Sequence, residues 1–170
     1  VSKKLKGFLH RFLLKPILDQ IKQGADAKSL ATTVAAGTTI AIFPILGATT
    51  ALCAVIGVRW KLNQPVLQLV NYFLYPVQIL MIPVFLYLGS KLWGVEPVSI
   101  NPETILMEFK SNTALFFSNY GLAGLRGVIV WLILSPLVYY PIRTGSFFVL
   151  SRIIRQKGMK QNATRSSIDL

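Results

Sequence analysis

Residues 29–58 read SLATTVAAGTTIAIFPILGATTALCAVIGV, and none of them is charged. From Leu30 to Val58 the run covers 29 residues, roughly 43 Å as one helix. A bilayer's hydrocarbon core is about 30 Å thick, so a single crossing would need about 45° of tilt, beyond the usual range. Two full crossings would need roughly 40 residues plus a turn. The length fits two half-helices that enter and leave on the same side. The break lies at the centre, where Phe43-Pro44-Ile45-Leu46-Gly47 sets a proline and a glycine three apart. Pro44 removes a donor and clashes with a preceding carbonyl, while Gly47 tolerates a left-handed backbone. Broken backbone at membrane depth survives only where protein or water satisfies it. The turn is therefore expected to lie under other helices or to face a cavity. Small residues at Ala27, Ala31, Ala35 and Thr39, and at Gly47 and Ala51, would allow close packing. One proline-kinked span with overhanging ends is the competing reading.

Composition agrees with a bilayer as solvent. Mean hydropathy is +0.55 and only 14% of the 170 residues are charged, against about a quarter in soluble domains. A soluble fold of this length could not hide so much apolar surface. The net charge of +12 points to anionic partners. The basic residues cluster at the two ends and in one short turn, a pattern of juxtamembrane anchoring to anionic headgroups rather than of nucleic-acid binding, for which no recognition motif is present. Cys53 is the one cysteine and His10 the one histidine. They offer no disulfide, no metal site and no Cys/His nucleophile. No cofactor is expected, and the first apolar run starts too late for a signal peptide.

Working outward, residues 1–28 carry Lys3, Lys4, Lys6, Arg11, Lys15, Lys22 and Lys28, with apolar residues recurring at helical spacing. This predicts a basic amphipathic helix in the membrane interface, with Gly24 as its stop and Asp26 as the next N-cap. Beyond the hairpin, Arg59-Trp60-Lys61-Leu62-Asn63-Gln64-Pro65 reads as a polar turn, with Pro65 in the first turn of a helix. Residues 65–89 form an uncharged run long enough to cross once, kinked at Pro76 and Pro83. Gln64, Gln68, Asn71, Tyr75 and Gln78 fall on one face of it. Lipid disfavours such a face, so it is expected to look inward to the hairpin. There it either satisfies the broken backbone near Pro44 or lines a path for a substrate headgroup. The loop at 90–112 holds Glu96, Glu103 and Glu108, with a helix start at Asn101-Pro102-Glu103. A second span is expected over about 120–142. Arg126 is the one charge inside an apolar run, and either snorkels to the outer interface or contacts an anion such as phosphate. Residues 143–170 form a basic tail, with 161–170 expected to be disordered.

Both ends are basic and the 90–112 loop is not, so the positive-inside rule places the ends in the cytoplasm and the loop outside. That requires an even number of crossings, and a cytoplasm-facing hairpin at 30–58 supplies it. The expected fold is thus an all-α integral membrane domain over 1–170. It comprises an interfacial helix, a re-entrant hairpin, spans at about 65–89 and 120–142, and a basic tail.

Lys28-Ser29-Leu30-Ala31 with Gly37, Phe43-Pro44-Ile45-Leu46-Gly47, Lys61-Leu62-Asn63-Gln64-Pro65, and Asn71 with Pro76 resemble the bacterial membrane family called domain of unknown function 2062. One departure is the separation of Asn71 from Pro76, since the family tends to place Asn directly before Pro. The resemblance implies a prokaryotic inner-membrane protein with no established activity. Linkage of some members to glycosyltransferases hints at envelope glycoconjugate or lipid metabolism.

Two functions follow as expectations. One is transport or lipid-headgroup handling in a polar cavity, with Gln68, Asn71, Tyr75, Gln78 and Arg126 as binding residues and Pro44, Gly47, Asn63, Pro65 and Pro76 as its frame. The alternative is a non-catalytic anchor or accessory for an envelope-biosynthesis enzyme, held by the N-terminal helix. A homo-oligomer would help to complete a cavity. No carboxylate lies in the apolar spans, so acid–base catalysis has no evident site.

Overall fold

The carbonyl of Ile40 would ordinarily accept from the N–H of residue 44, and Pro44 has none. In the computed structural model, which describes the backbone of residues 26–166 and the side chains of residues 26–155, the first helix ends here. Helix α1 runs Ala27–Ala41, and a turn through residues 42–47 leads to α2, Ala48–Arg59. Gly47 caps α2 with φ of 81°, a left-handed conformation that a side chain would strain. Asp26 occupies the expected N-cap position of α1 but makes no side-chain cap bond. The expected interfacial helix, with His10 and Gly24, lies outside the described residues.

The turn after α2 gives the Lys61–Pro65 motif a physical reading. Lys61 is left-handed, with φ of 52°. Asn63 then caps helix α3, Gln64–Phe73, its side-chain oxygen accepting from the Val66 N–H at 3.1 Å. Pro65 fills the first turn, where a missing N–H costs nothing. The Asn63 N–H donates to Thr33 Oγ1 at 3.3 Å, tying the cap to α1.

The run at 65–89 is not one helix. Helix α3 stops at Phe73, and α4, Tyr75–Trp93, starts again after Leu74 with Pro76 in its first turn. The span expected at 65–89 is thus corrected. A ten-residue segment packs on the hairpin, and the membrane-length helix is shifted to 75–93, with Pro83 inside it. Asn101 caps α5, Pro102–Ser111, as its sequence indicates, accepting from the Glu103 N–H at 3.0 Å. The last helix, α6, runs 54 residues, Thr113–Ser166, through Pro136 and Pro141. Of the end expected to be disordered, residues 161–166 belong to this helix, and residues 167–170 lie outside the described residues.

All described elements are helices, and two of them are long and apolar enough to cross a membrane. Only 22% of the most apolar stretch of each is buried, whereas the core helix of a soluble protein is mostly covered. The small α3 is the hub. Its Val66 and Val70 pack with Leu30 and Ala31 of α1 and Leu150 of α6, while Leu67 packs with Ala36, Ile40 and Cys53. Ala27, Ala31, Ala35 and Thr39 are buried, as small packing residues should be, but Gly47 and Ala51 are exposed.

Candidate functional site

With no N–H on Pro44, the Phe43 N–H turns to the Ile40 carbonyl at 2.9 Å. The carbonyl of Thr39 then lacks its ordinary helical donor. Trp131 of α6 supplies one, its indole N–H lying 3.0 Å from Thr39 O. The indole also stands edge-on to Phe43, with ring centres 4.9 Å apart. On the far side of the break, Gln78 Nε2 donates to Phe43 O at 3.0 Å and Ile45 O at 3.2 Å. Gln64 Nε2 reaches Ala54 O at 2.9 Å, and Gln68 Nε2 reaches Thr50 O at 3.3 Å. A Cβ at Gly57 would collide with the Gln64 amide. The glutamines of the inward stripe are therefore joined to hairpin carbonyls.

The other expected binding residues are dispersed. Asn71 is buried on α3, but Tyr75 is 46% exposed. Arg126 is far along α6 from the hairpin's open end and borders a cavity of about 310 Å³ shared with Glu96, Ser99, Glu108 and Asn119. Among the described residues it makes no hydrogen bond or ion pair. The backbone approaches α4 closely there, since a Cβ at Gly89 would lie 3.1 Å from Arg126 Cβ. The oxygens of Gln68 and Gln78 are buried without a protein donor among the described residues.

Two features were not legible as a site in the sequence. One is a cleft of about 630 Å³ between the hairpin and α6, walled by Ile40, Ile56, Trp60, Trp131, Tyr139 and Tyr140, with Thr32, Thr39 and Ser135 as polar points. From Trp131 to Tyr140 it follows about 14 Å of helix. Its volume is in the usual range for ligand pockets. The other lies beside it, where Arg143 Nε donates to Thr32 Oγ1 at 3.2 Å and Thr32 Oγ1 donates to Lys28 O at 2.9 Å. Lys28 and Arg143 line a smaller cavity of about 220 Å³ with Ala31, Thr144 and Phe147. The sequence signal was positional. Lys28 is the last charge before one uncharged run and Arg143 the first after another. Trp131 was marked only by being an N–H donor in the middle of an apolar helix.

The arrangement defines an all-helical protein in which two apolar helices of membrane length accompany a proline-broken helical hairpin. The model of a family described as an uncharacterized protein conserved in bacteria (DUF2062) matches residues 10–157, and the chain belongs to that family. No curated protein and no solved structure matches it.

Proposed function

We propose that this chain is a multi-pass protein of the bacterial inner membrane that holds the hydrocarbon part of a membrane amphiphile in the cleft between the hairpin and α6. The cleft itself carries the reading, being an apolar, aromatic-walled groove open along a helix of membrane length. The hairpin enters the bilayer from the cytoplasmic side and returns to it, and α4 and α6 cross. The spacing of charge supports this. Residues 127–142 of α6 are uncharged between Arg126 and Arg143, a rise of about 26 Å, close to the thickness of a hydrocarbon core. At one end lie Lys28 and Arg143; at the other, Arg126 beside Glu96 and Glu108.

A polar transport path along Gln68, Asn71 and Gln78 draws less support, because the glutamine amides already serve hairpin carbonyls. Phosphate binding at Arg126 draws less as well, since two carboxylates share its cavity and a like charge opposes an anion.

The test is lipid retention after purification in a mild neutral detergent, read by native mass spectrometry. Wild-type protein retains lipid through a delipidating wash. Ser135→Phe, which fills the cleft, releases it; Ser118→Phe, on an exposed turn of α6, does not. Failure of the wild type to retain lipid, or equal retention by Ser135→Phe, sinks the reading. The accessory role beside an envelope-biosynthesis enzyme would then be the one to pursue.

A further inference from the structure

The cavity between Lys28 and Arg143 carries the inference. Lys28 lies in the first turn of α1 and is exposed. Arg143 is half-buried on α6, and its Nε is held by Thr32 Oγ1 at 3.2 Å. Thr32 in turn gives its own proton to Lys28 O at 2.9 Å, so its oxygen is oriented to accept. That chain fixes the guanidinium by one nitrogen only. Among the described residues its two terminal nitrogens make no hydrogen bond or ion pair. A guanidinium so anchored presents a planar fork suited to two oxygens of a phosphate. The lysine adds a second positive charge on the same small cavity, and the start of α1 adds the positive end of a helix dipole. Asp26, the acid at this helix end, does not line the cavity.

Thr32 also belongs to the wall of the large cleft. Thr32 does not itself line the basic cavity but holds Arg143, which does. A basic cavity and an apolar groove thus adjoin through that one bond, which is the division of chemistry in a phosphate on a hydrocarbon chain. We propose that Lys28 and Arg143 form a phosphate site that recognises the headgroup of the anionic amphiphile whose chain enters the cleft. The hydrocarbon half of this proposal rests on the cleft reading above; the phosphate contact stands on Lys28 and Arg143 alone.

The experiment compares binding of dioleoyl phosphatidic acid and dioleoylglycerol, which differ by the phosphate, to full-length protein in a neutral maltoside detergent. Inorganic phosphate serves as a competitor. Phosphatidic acid is expected to bind at least tenfold more tightly than dioleoylglycerol. Arg143→Gln and Lys28→Gln each collapse that ratio while leaving dioleoylglycerol binding in place. Arg143→Lys retains part of it, and Arg152→Gln, the same loss of charge further along α6, retains all of it. If Arg143→Gln loses its helical signal, the exposed Lys28→Gln carries the test. Equal binding of the two lipids by wild type, or equal damage from Arg152→Gln and Arg143→Gln, overturns the site. If neither lipid binds but inorganic phosphate does, with the same dependence on Lys28 and Arg143, the phosphate site stands as one for a soluble ligand and only the cleft reading falls.

Discussion

Gln78 of α4 places one amide nitrogen 3.0 Å from the carbonyl of Phe43 and 3.2 Å from that of Ile45, so a single side chain bonds the backbone on both sides of Pro44. The side chain is fully buried. Orphaning a buried carbonyl costs about 1–3 kcal/mol. Gln78→Leu is expected to lower stability by about 1–3 kcal/mol, the loss being offset in part because the unpartnered Oε1 goes with it. Circular dichroism melts in detergent check this. Tyr75→Phe, on the same sequence stripe but exposed, leaves the midpoint unchanged.

Trp131 and Thr39 provide a second separable bond. Trp131→Phe keeps an aromatic edge against Phe43 but removes the donor to Thr39 O. The expected loss is about 1 kcal/mol. Trp131→Ala removes both and is expected to cost about 3 kcal/mol. Equal midpoints for the two variants would mean that the hydrogen bond, and not the ring, does most of the stabilising.

Helices α4 and α6 meet at Gly89. A Cβ there would lie 3.1 Å from Arg126 Cβ and from Gly127 N, tighter than ordinary van der Waals contact, so the α6 backbone has to give by a few tenths of an ångström. Gly89→Ala is expected to destabilise by about 1–3 kcal/mol. Gly121→Ala, where a Cβ meets open space, should be neutral or slightly stabilising through helix propensity. The pair of melts tests the α4–α6 crossing directly.

The orientation of the hairpin is open to thiol labelling in a Cys53→Ala background. A cysteine replacing Lys61, and another replacing Arg155, should react with an impermeant reagent only once the cytoplasmic face is accessible. Labelling of either from outside intact cells would exclude a hairpin that returns to its side of entry. Cysteines placed at 45–47 report how deep the turn sits.

What the sequence determined by itself was the part governed by local chemistry. The break at Pro44–Gly47, the helix start with Pro65 in its first turn and the start at Asn101-Pro102 each follow from a missing N–H, a left-handed φ or a short side chain that bonds its own backbone. The Asn63 cap, by contrast, emerged only from the structure. Prolines deeper in the apolar runs were not equally legible. Pro83, Pro136 and Pro141 sit inside helices, while Pro76 marks a restart. Each frees a carbonyl in the same way, so the difference lies in surroundings that the local sequence does not specify. The face of Gln64, Gln68, Asn71 and Gln78 could be seen in the sequence, but not the carbonyls it would meet. Tertiary structure alone joined Trp131 to Thr39 across 92 positions and Arg143 to Thr32 across 111. It also placed Arg126 beside Glu96 and Glu108, away from the basic cavity. Such pairings depend on how helices stack, and side chains far apart in the chain carry no mark of one another until the backbone brings them together.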